Sequence, residues 1–245
     1  MKNINHKNTV LLLTGTVNTN DKHFTALTNT DQRRQNYIDT IRHYLKKYDL
    51  PIVFAENSGE NLSEYFTEEI KKKQIEILYF NGNNYAPEIG KGLGEMKCLE
   101  FAITNSTFIT DGSFVYKITG RYIIENLPSF LKVMDKNSTV ELIADLTNNF
   151  RFSSAAIFGF KPFFAKKYLF KNSILLNDSA GFYFEHALAK AVLEAIGDHV
   201  NFHIFKHYPK IKAISGTTGK AYKKSFFYLL PRHIKYWIRY LIVIR

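Results

Sequence analysis

Thr9-Val10-Leu11-Leu12-Leu13-Thr14-Gly15-Thr16 decides the fold: an apolar run of strand length, closed by a glycine set between hydroxyls. A run this short and uninterrupted is buried on both faces, as in a parallel sheet, and its polar end is delivered as a loop to one edge. The pattern recurs twice. Pro51-Ile52-Val53-Phe54-Ala55 runs into Glu56-Asn57-Ser58-Gly59, and Ile75-Glu76-Ile77-Leu78-Tyr79-Phe80 runs into Asn81-Gly82-Asn83-Asn84. Between the first two, Tyr37, Ile38, Ile41, Tyr44 and Leu45 recur at helical spacing, with Asp31 in the cap position and Arg33 and Arg34 in the first turn. A charged helix separates the second from the third. Three strand–helix units predict an α/β chain with parallel strands, in which ligands sit beyond the carboxyl ends of the strands. Thr14, Gly15, Glu56, Asn57, Ser58 and Gly59 are therefore expected to contact a ligand along one rim.

At 245 residues and 45% hydrophobic side chains, the chain can bury a full core as one large domain or one domain with an appendage. The single Cys98 excludes an intramolecular disulfide, and Met1 to His6 lack the apolar run of a secretory signal, so a reducing cytoplasm is the expected compartment. The net charge of +11 is concentrated at one end: ten Lys or Arg and no Asp or Glu lie between His199 and Arg245. A localised cationic end fits an anionic surface, either lipid headgroups or nucleic acid. After Pro231, Arg232, Lys235 and Arg239 share one helical face, and Ile234, Trp237, Ile238, Leu241 and Ile242 share the other. Charges within the segment argue against a transmembrane span. They favour an interfacial helix over residues 226–245, with packing on its own domain as the alternative. The expected division is a domain over 1–222 and a basic amphipathic tail over 223–245.

Candidate phosphate contacts lie between these ends. Phe114-Val115-Tyr116-Lys117-Ile118-Thr119-Gly120-Arg121-Tyr122-Ile123-Ile124 reads as a strand ending in a glycine turn, with two cations that suit a phosphate, or else as a surface hairpin with solvated charges. Gly90-Lys91-Gly92-Leu93-Gly94-Glu95 leads into a helix from about Met96 to Asn105. Its glycines either expose helix amides to a phosphate or only loosen the helix start. Further on come a short helix from Leu127, strands at Val140–Leu146 and Ser154–Phe160, a helix from Pro162, and a strong helix over Tyr183–Val192. The last is expected to start at Asp178-Ser179 upstream, and Glu185 and His186 lie in its first turns. Pro209 to Lys220 is a small, basic loop in which backbone amides, Thr217, Thr218 and Lys220 can clamp a diphosphate, or which merely connects. No Asp-x-Asp pair or Cys cluster supplies a metal motif, no nucleophile elbow marks a hydrolase, no catalytic loop marks a kinase, and Cys98 sits in an apolar helix. Such a set fits transfer from a nucleotide-activated donor better than hydrolysis.

Asp31 to Tyr37, Gly90 to Glu95, Lys117-Ile118-Thr119-Gly120-Arg121-Tyr122, Tyr183-Phe184-Glu185-His186 and Ser215-Gly216-Thr217-Thr218-Gly219, in that order, resemble a group of small bacterial glycosyltransferases of capsule, O-antigen or lipooligosaccharide assembly. The resemblance spans about residues 9–222, and its most specific piece is the Lys117 to Tyr122 block. It implies a GT-A-like (Rossmann-type), mixed but mainly parallel sheet flanked by helices. It further implies a hexosyltransferase-type enzyme with a nucleotide-sugar donor and a lipid-linked glycan acceptor, peripheral on the inner face of the cytoplasmic membrane. The departure is the missing Asp-x-Asp. Lys117 and Arg121 are expected to supply positive charge in place of a manganese or magnesium ion, with Asp111 as a lone alternative ligand. Glu185 is expected to deprotonate the acceptor hydroxyl, with His186 orienting it or acting as the base. Lys91, Lys117, Thr119, Gly120, Arg121 and Lys220 would face the donor diphosphate. The competing class is a basic α/β nucleic-acid-binding protein without catalytic activity, holding nucleic acid through residues 199–245. The continuous apolar face of the tail weighs against it, so no nucleic-acid partner is expected.

Overall fold

The computed structural model describes residues 8–19, 26–136, 139–214, 219–223 and 225–243. Among these residues nine strands follow one another: β1 (Thr9–Gly15), β2 (Ile52–Glu56), β3 (Ile75–Tyr79), β4 (Phe114–Thr119), β5 (Ile123–Ile124), β6 (Leu142–Ala144), β7 (Ile157–Phe160), β8 (Phe202–Ile204) and β9 (Ile211–Lys212). Seven of them form one sheet in the order β3-β2-β1-β4-β7-β6-β8. Only β7 runs against its neighbours in that sheet, pairing antiparallel with β4 and β6. The fold is therefore a mixed, mainly parallel α/β sheet of the expected class. The order reverses at β1, whose partners are β2 on one side and β4 on the other, so the carboxyl ends of β1 and β4 flank a topological switch point.

Every residue of β1 is buried, which is why its sequence shows no polar alternation. Val10 and Leu12 pack into the core beneath α3 (Lys91–Asn105) and α6 (Phe184–Gly197), whereas Leu11 and Leu13 face α1 (Thr30–Lys47) and α4 (Leu127–Lys136). Between these helices the chain makes α2 (Thr67–Lys71), after a 3-10 turn, and α5 (Pro162–Phe164), which widens into a π-type turn at Ala165–Leu169.

The structure corrects several local expectations. The cap of α1 is Asn29, whose side chain accepts from the Gln32 amide at 2.8 Å; Asp31 lies one residue inside the helix and pairs with Arg34. The stretch from Phe114 to Ile124 is no surface hairpin: β4 is a central strand, and β5 leaves the sheet to pair with β9. α3 begins at Lys91, inside the glycine-rich segment. α6 begins at Phe184, with the Tyr183 amide donating to His186 Nδ1 at 3.1 Å, well after Asp178.

α7 (Phe226–Val243) carries Pro231 in its interior and lies against the body through its tyrosines. Tyr236 is buried and donates to Asp145 at 2.6 Å, and Tyr240 packs on His203. The apolar side points outward: Phe227 is 87% exposed, Ile242 74% and Trp237 49%. Among the described residues no helix is long and apolar enough to cross a membrane.

Candidate functional site

A cavity of ≈ 230 Å³ opens where β1 and β4 end. Thr14 and Gly15 from β1, Thr119 and Arg121 from the end of β4, Lys91 and Glu95 from α3, and Glu185 from α6 all line it. The backbone there is drawn tight: the Gly120 amide donates to the Thr14 carbonyl at 2.8 Å, and a Cβ on Gly120 would lie 2.6 Å from that oxygen. Only glycine lets the two strand ends approach this closely. Gly15 is held similarly, since a Cβ there would meet the Phe54 ring at 2.6 Å.

Lys117 does not reach the cavity. In β4 it alternates onto the face covered by α3 and α6, where a lysine needs a charge partner. Glu95 of α3 supplies it, accepting from the fully buried Lys117 ammonium and, at 2.8 Å, from the Thr14 hydroxyl. Lys117 also donates to the Ala155 carbonyl at 2.6 Å and to Thr119 Oγ1 at 3.2 Å, and the rings of Phe158 and Phe184 enclose it. Its charge is spent inside the protein, between β4, α3 and the segment before β7.

The loop residues after β2 are likewise turned inward. Buried Glu56 accepts from the amides of Val17, Ser58 and Glu60 at 2.8, 2.9 and 2.9 Å, and from the Ser58 hydroxyl. Burial pushes its carboxyl above the ordinary range, while those donors pull it back. Asn57 accepts from Thr16 Oγ1 at 2.7 Å and donates to the Gly94 carbonyl at 3.1 Å. Gly59, at φ +84°, lies against Asn81. None of Glu56, Asn57, Ser58 and Gly59 lines the cavity; the first three hold the loop after β1 in place through Val17, Thr16 and Asn18. Arg33 and Tyr37, one helical turn apart on α1, complete that scaffold. Arg33 donates to the carbonyls of Thr16, Val17 and Leu27, and Tyr37 accepts from the Thr16 amide at 2.9 Å.

The glycine-rich start of α3 already has an anion, and it belongs to the chain itself. Asp178, 2% exposed, accepts from the Lys91 amide at 2.9 Å and the Gly92 amide at 3.4 Å. Cβ atoms on Gly90 and Gly92 would stand 2.3 and 2.9 Å from its carboxylate oxygens. The glycines thus make room for a carboxylate rather than a phosphate. Burial raises the Asp178 pKa against these two amides and Lys91.

Cationic and acidic side chains share the cavity. Arg121 donates to the Ile214 carbonyl at 3.4 Å through one terminal nitrogen, lies over the Tyr37 ring, and has a buried Nε with no partner among the described residues. Lys91 stands at the mouth, exposed by surface yet crowded enough by protein that its ammonium pKa is lowered against the pull of Glu185 and Asp178. At the start of α6, burial raises the Glu185 pKa, and the negative charge of Glu95 adds to it, while its own amide, Lys117 and Lys91 oppose. His186 is absent from the lining. Its Nδ1 caps the helix, and its ring packs among Phe152, Phe182 and Tyr183. A neighbouring hollow, lined by Asn36, Asp39, Thr40 and Lys212, shares Arg121 and Tyr222 with the cavity.

Among the described residues, the donor set does not suit a divalent cation. Among the described residues no group of three His, Cys, Asp or Glu side chains is placed to hold one, and Glu95 is committed to Lys117 and Thr14. Asp111 precedes β4, at the opposite end of the strand from the cavity, where its exposed carboxylate pairs with Lys166 at 2.8 Å. His203 and His207, four residues apart, lie in β8 and the turn after it, not on one helical face. Lys220 is exposed and does not line the cavity; Thr217 and Thr218 lie outside the described residues.

The sequence reading missed Arg33, Tyr37, Glu95 and Asp178 as site residues. A signal existed for Glu95, because a lysine alternating onto the apolar face of a central strand requires a carboxylate nearby. Asp178 gave none, since it lies 87 residues from the amide it caps.

No known protein family matches the chain, and neither does any curated protein. Solved structures similar to it include the following three. A cytidylyltransferase from Leptospira borgpetersenii is 13% identical, covering 82% of this chain and 76% of its own, with a TM-score of 0.40. A protein named as a nucleotide-diphospho-sugar transferase from Desulfovibrio desulfuricans is 8% identical, covering 96% and 98%, with a TM-score of 0.45. The core-mannan synthase A of Aspergillus fumigatus, in its Mn/GDP form, is 11% identical, covering 94% and 85%, with a TM-score of 0.35.

Proposed function

We propose that the chain is a GT-A-like glycosyltransferase that moves a sugar from a nucleotide-sugar donor to a saccharide acceptor. The observation that carries this reading is a cavity at the switch point lined by Arg121 and Lys91 together with the raised-pKa carboxyl of Glu185. In transfer, the acceptor hydroxyl gives its proton to Glu185 as its oxygen bonds to the anomeric carbon, and the bond from that carbon to the phosphate oxygen breaks. The departing phosphate carries away the electron pair, and Arg121 and Lys91 neutralise it. The ion pair between buried Lys117 and half-buried Glu95 fixes Thr14 and Thr119. The neighbouring hollow that meets the cavity at Arg121 and Tyr222 suits the acceptor.

The finer assignment, to a lipid-linked acceptor in bacterial surface polysaccharide assembly on the inner face of the cytoplasmic membrane, is supported by α7. It turns Phe227, Ile234, Trp237 and Ile242 outward from a segment with no acidic residue, a combination that suits an anionic bilayer surface. Titration calorimetry against a panel of sugar nucleotides tests the donor. Binding of at least one, weakened roughly 10- to 100-fold in Arg121→Ala, is expected for a lost charge-assisted contact. Failure of every sugar nucleotide to bind overturns the reading.

A further inference from the structure

Residues 145–155 form a strained strap between β6 and β7. Asn148, Asn149 and Phe150 have φ of 49°, 55° and 64°, three consecutive left-handed residues without a glycine, and conformations of this kind persist only where surrounding contacts impose them. Two sets of contacts do so. Thr147 and Phe152 close the tip by mutual backbone bonds of 2.8 and 3.3 Å. Below them Asp145, 3% exposed, accepts from the Ser154 amide at 2.7 Å and the Ser153 hydroxyl at 3.4 Å through one oxygen, and from the Tyr236 hydroxyl of α7 at 2.6 Å through the other.

The far side of the strap carries the site. The Ser153 amide donates to the Glu185 carbonyl at 3.1 Å, and the Ala155 carbonyl receives Lys117 and Thr119. Ala155 also lines the cavity. The three residues 153–155 therefore bind, in turn, the first turn of α6, the buried carboxylate and the buried ammonium.

We infer that Tyr236 is a positioning residue: by holding Asp145 it clamps the strap, and the strap sets Glu185 and Lys117. α7 is then a brace of the cavity and not only an attachment surface. This inference rests on the proposed function for its consequence in catalysis, but its test needs no substrate.

The experiment is hydrogen–deuterium exchange and side-chain NMR on the full chain, with Tyr236→Phe and, as the milder change at the other partner, Asp145→Asn. Removing the tyrosine hydroxyl leaves one buried oxygen of Asp145 unpartnered and loosens its grip on the loop. Exchange at the Ser153 and Ser154 amides is expected to rise roughly ten-fold, while that of the β1 and β4 amides stays within about two-fold. The Glu185 carboxyl midpoint is expected to fall toward the ordinary glutamate value, as loosening admits water to a group that burial had raised. Unchanged exchange at Ser153 and Ser154, an unmoved Glu185 midpoint, or equally faster exchange throughout the sheet overturns the inference, the last because Tyr236 would then only stabilise the whole fold.

Discussion

Replacing Lys117 by methionine separates a structural cation from a ligand-binding one. Methionine keeps the length and the apolar stem, so little cavity is created, and the change removes the charge. Lost with it are the ion pair to Glu95, the 2.6 Å bond to the Ala155 carbonyl and the 3.2 Å bond to Thr119. Breaking one half of a buried pair costs about 3–5 kcal/mol, because the partner is left charged in the interior. Glu95 keeps 21% of its side chain exposed and can recover some hydration, so about 3 kcal/mol is expected. For a chain of this size that corresponds to a melting temperature lower by roughly 6–12 °C, read by circular dichroism. Adding Glu95→Gln to Lys117→Met removes the orphaned charge and should restore at least about 1 kcal/mol, a coupling that a double-mutant cycle isolates. A single variant as stable as wild type, impaired only in binding sugar nucleotides, would refute the buried pair and return Lys117 to the diphosphate.

Two further predictions follow from the same geometry. Asp178→Ala should lower stability by about 1 kcal/mol through loss of the acceptor at the start of α3, and exchange of the Lys91 and Gly92 amides should quicken; unchanged protection there would mean that Asp178 does not cap the helix. A base must be ionised, so turnover should fall as pH drops through a midpoint above the ordinary glutamate value of 4.5, and Lys91→Met, removing a charge that favours the ionised form, should move that midpoint upward. The sign is opposite for stability. A carboxyl held protonated to higher pH in the folded state contributes most below its unfolded pKa and loses that contribution as pH rises through the folded one. A downward shift in Lys91→Met would show that the two groups do not face each other.

Much of the fold was legible because burial on both faces leaves a direct mark: Leu11, Leu12 and Leu13 admit no polar neighbour, and the glycine after Thr14 ends the run. β8 and β9 left none, since Phe202–Ile204 and Ile211–Lys212 are too short to show a period, and each pairs with a strand remote in sequence. The parallel strands do end along one edge, but the sequence did not sort the residues found there. A carboxylate such as Glu56 reads identically whether it meets a ligand or three amides of its own chain. The glycines from Gly90 to Gly94 signalled close approach without saying to what; Asp178 was the answer for the first two. In α7 the periodicity separated two faces yet could not tell which faced inward. Tyr236 and Tyr240 decide it, because an aromatic ring with a polar tip can pack and satisfy a buried partner such as Asp145.

The most direct measurement is turnover and donor binding of Glu185→Gln, made with whichever sugar nucleotide the wild-type chain binds and consumes. The amide keeps the shape of the side chain but cannot take the acceptor proton, so turnover should fall by roughly 10²- to 10⁴-fold while the donor dissociation constant stays within about three-fold. Wild-type turnover in Glu185→Gln would contradict the assignment of the base, and with it the account of the cavity as a sugar-transfer site.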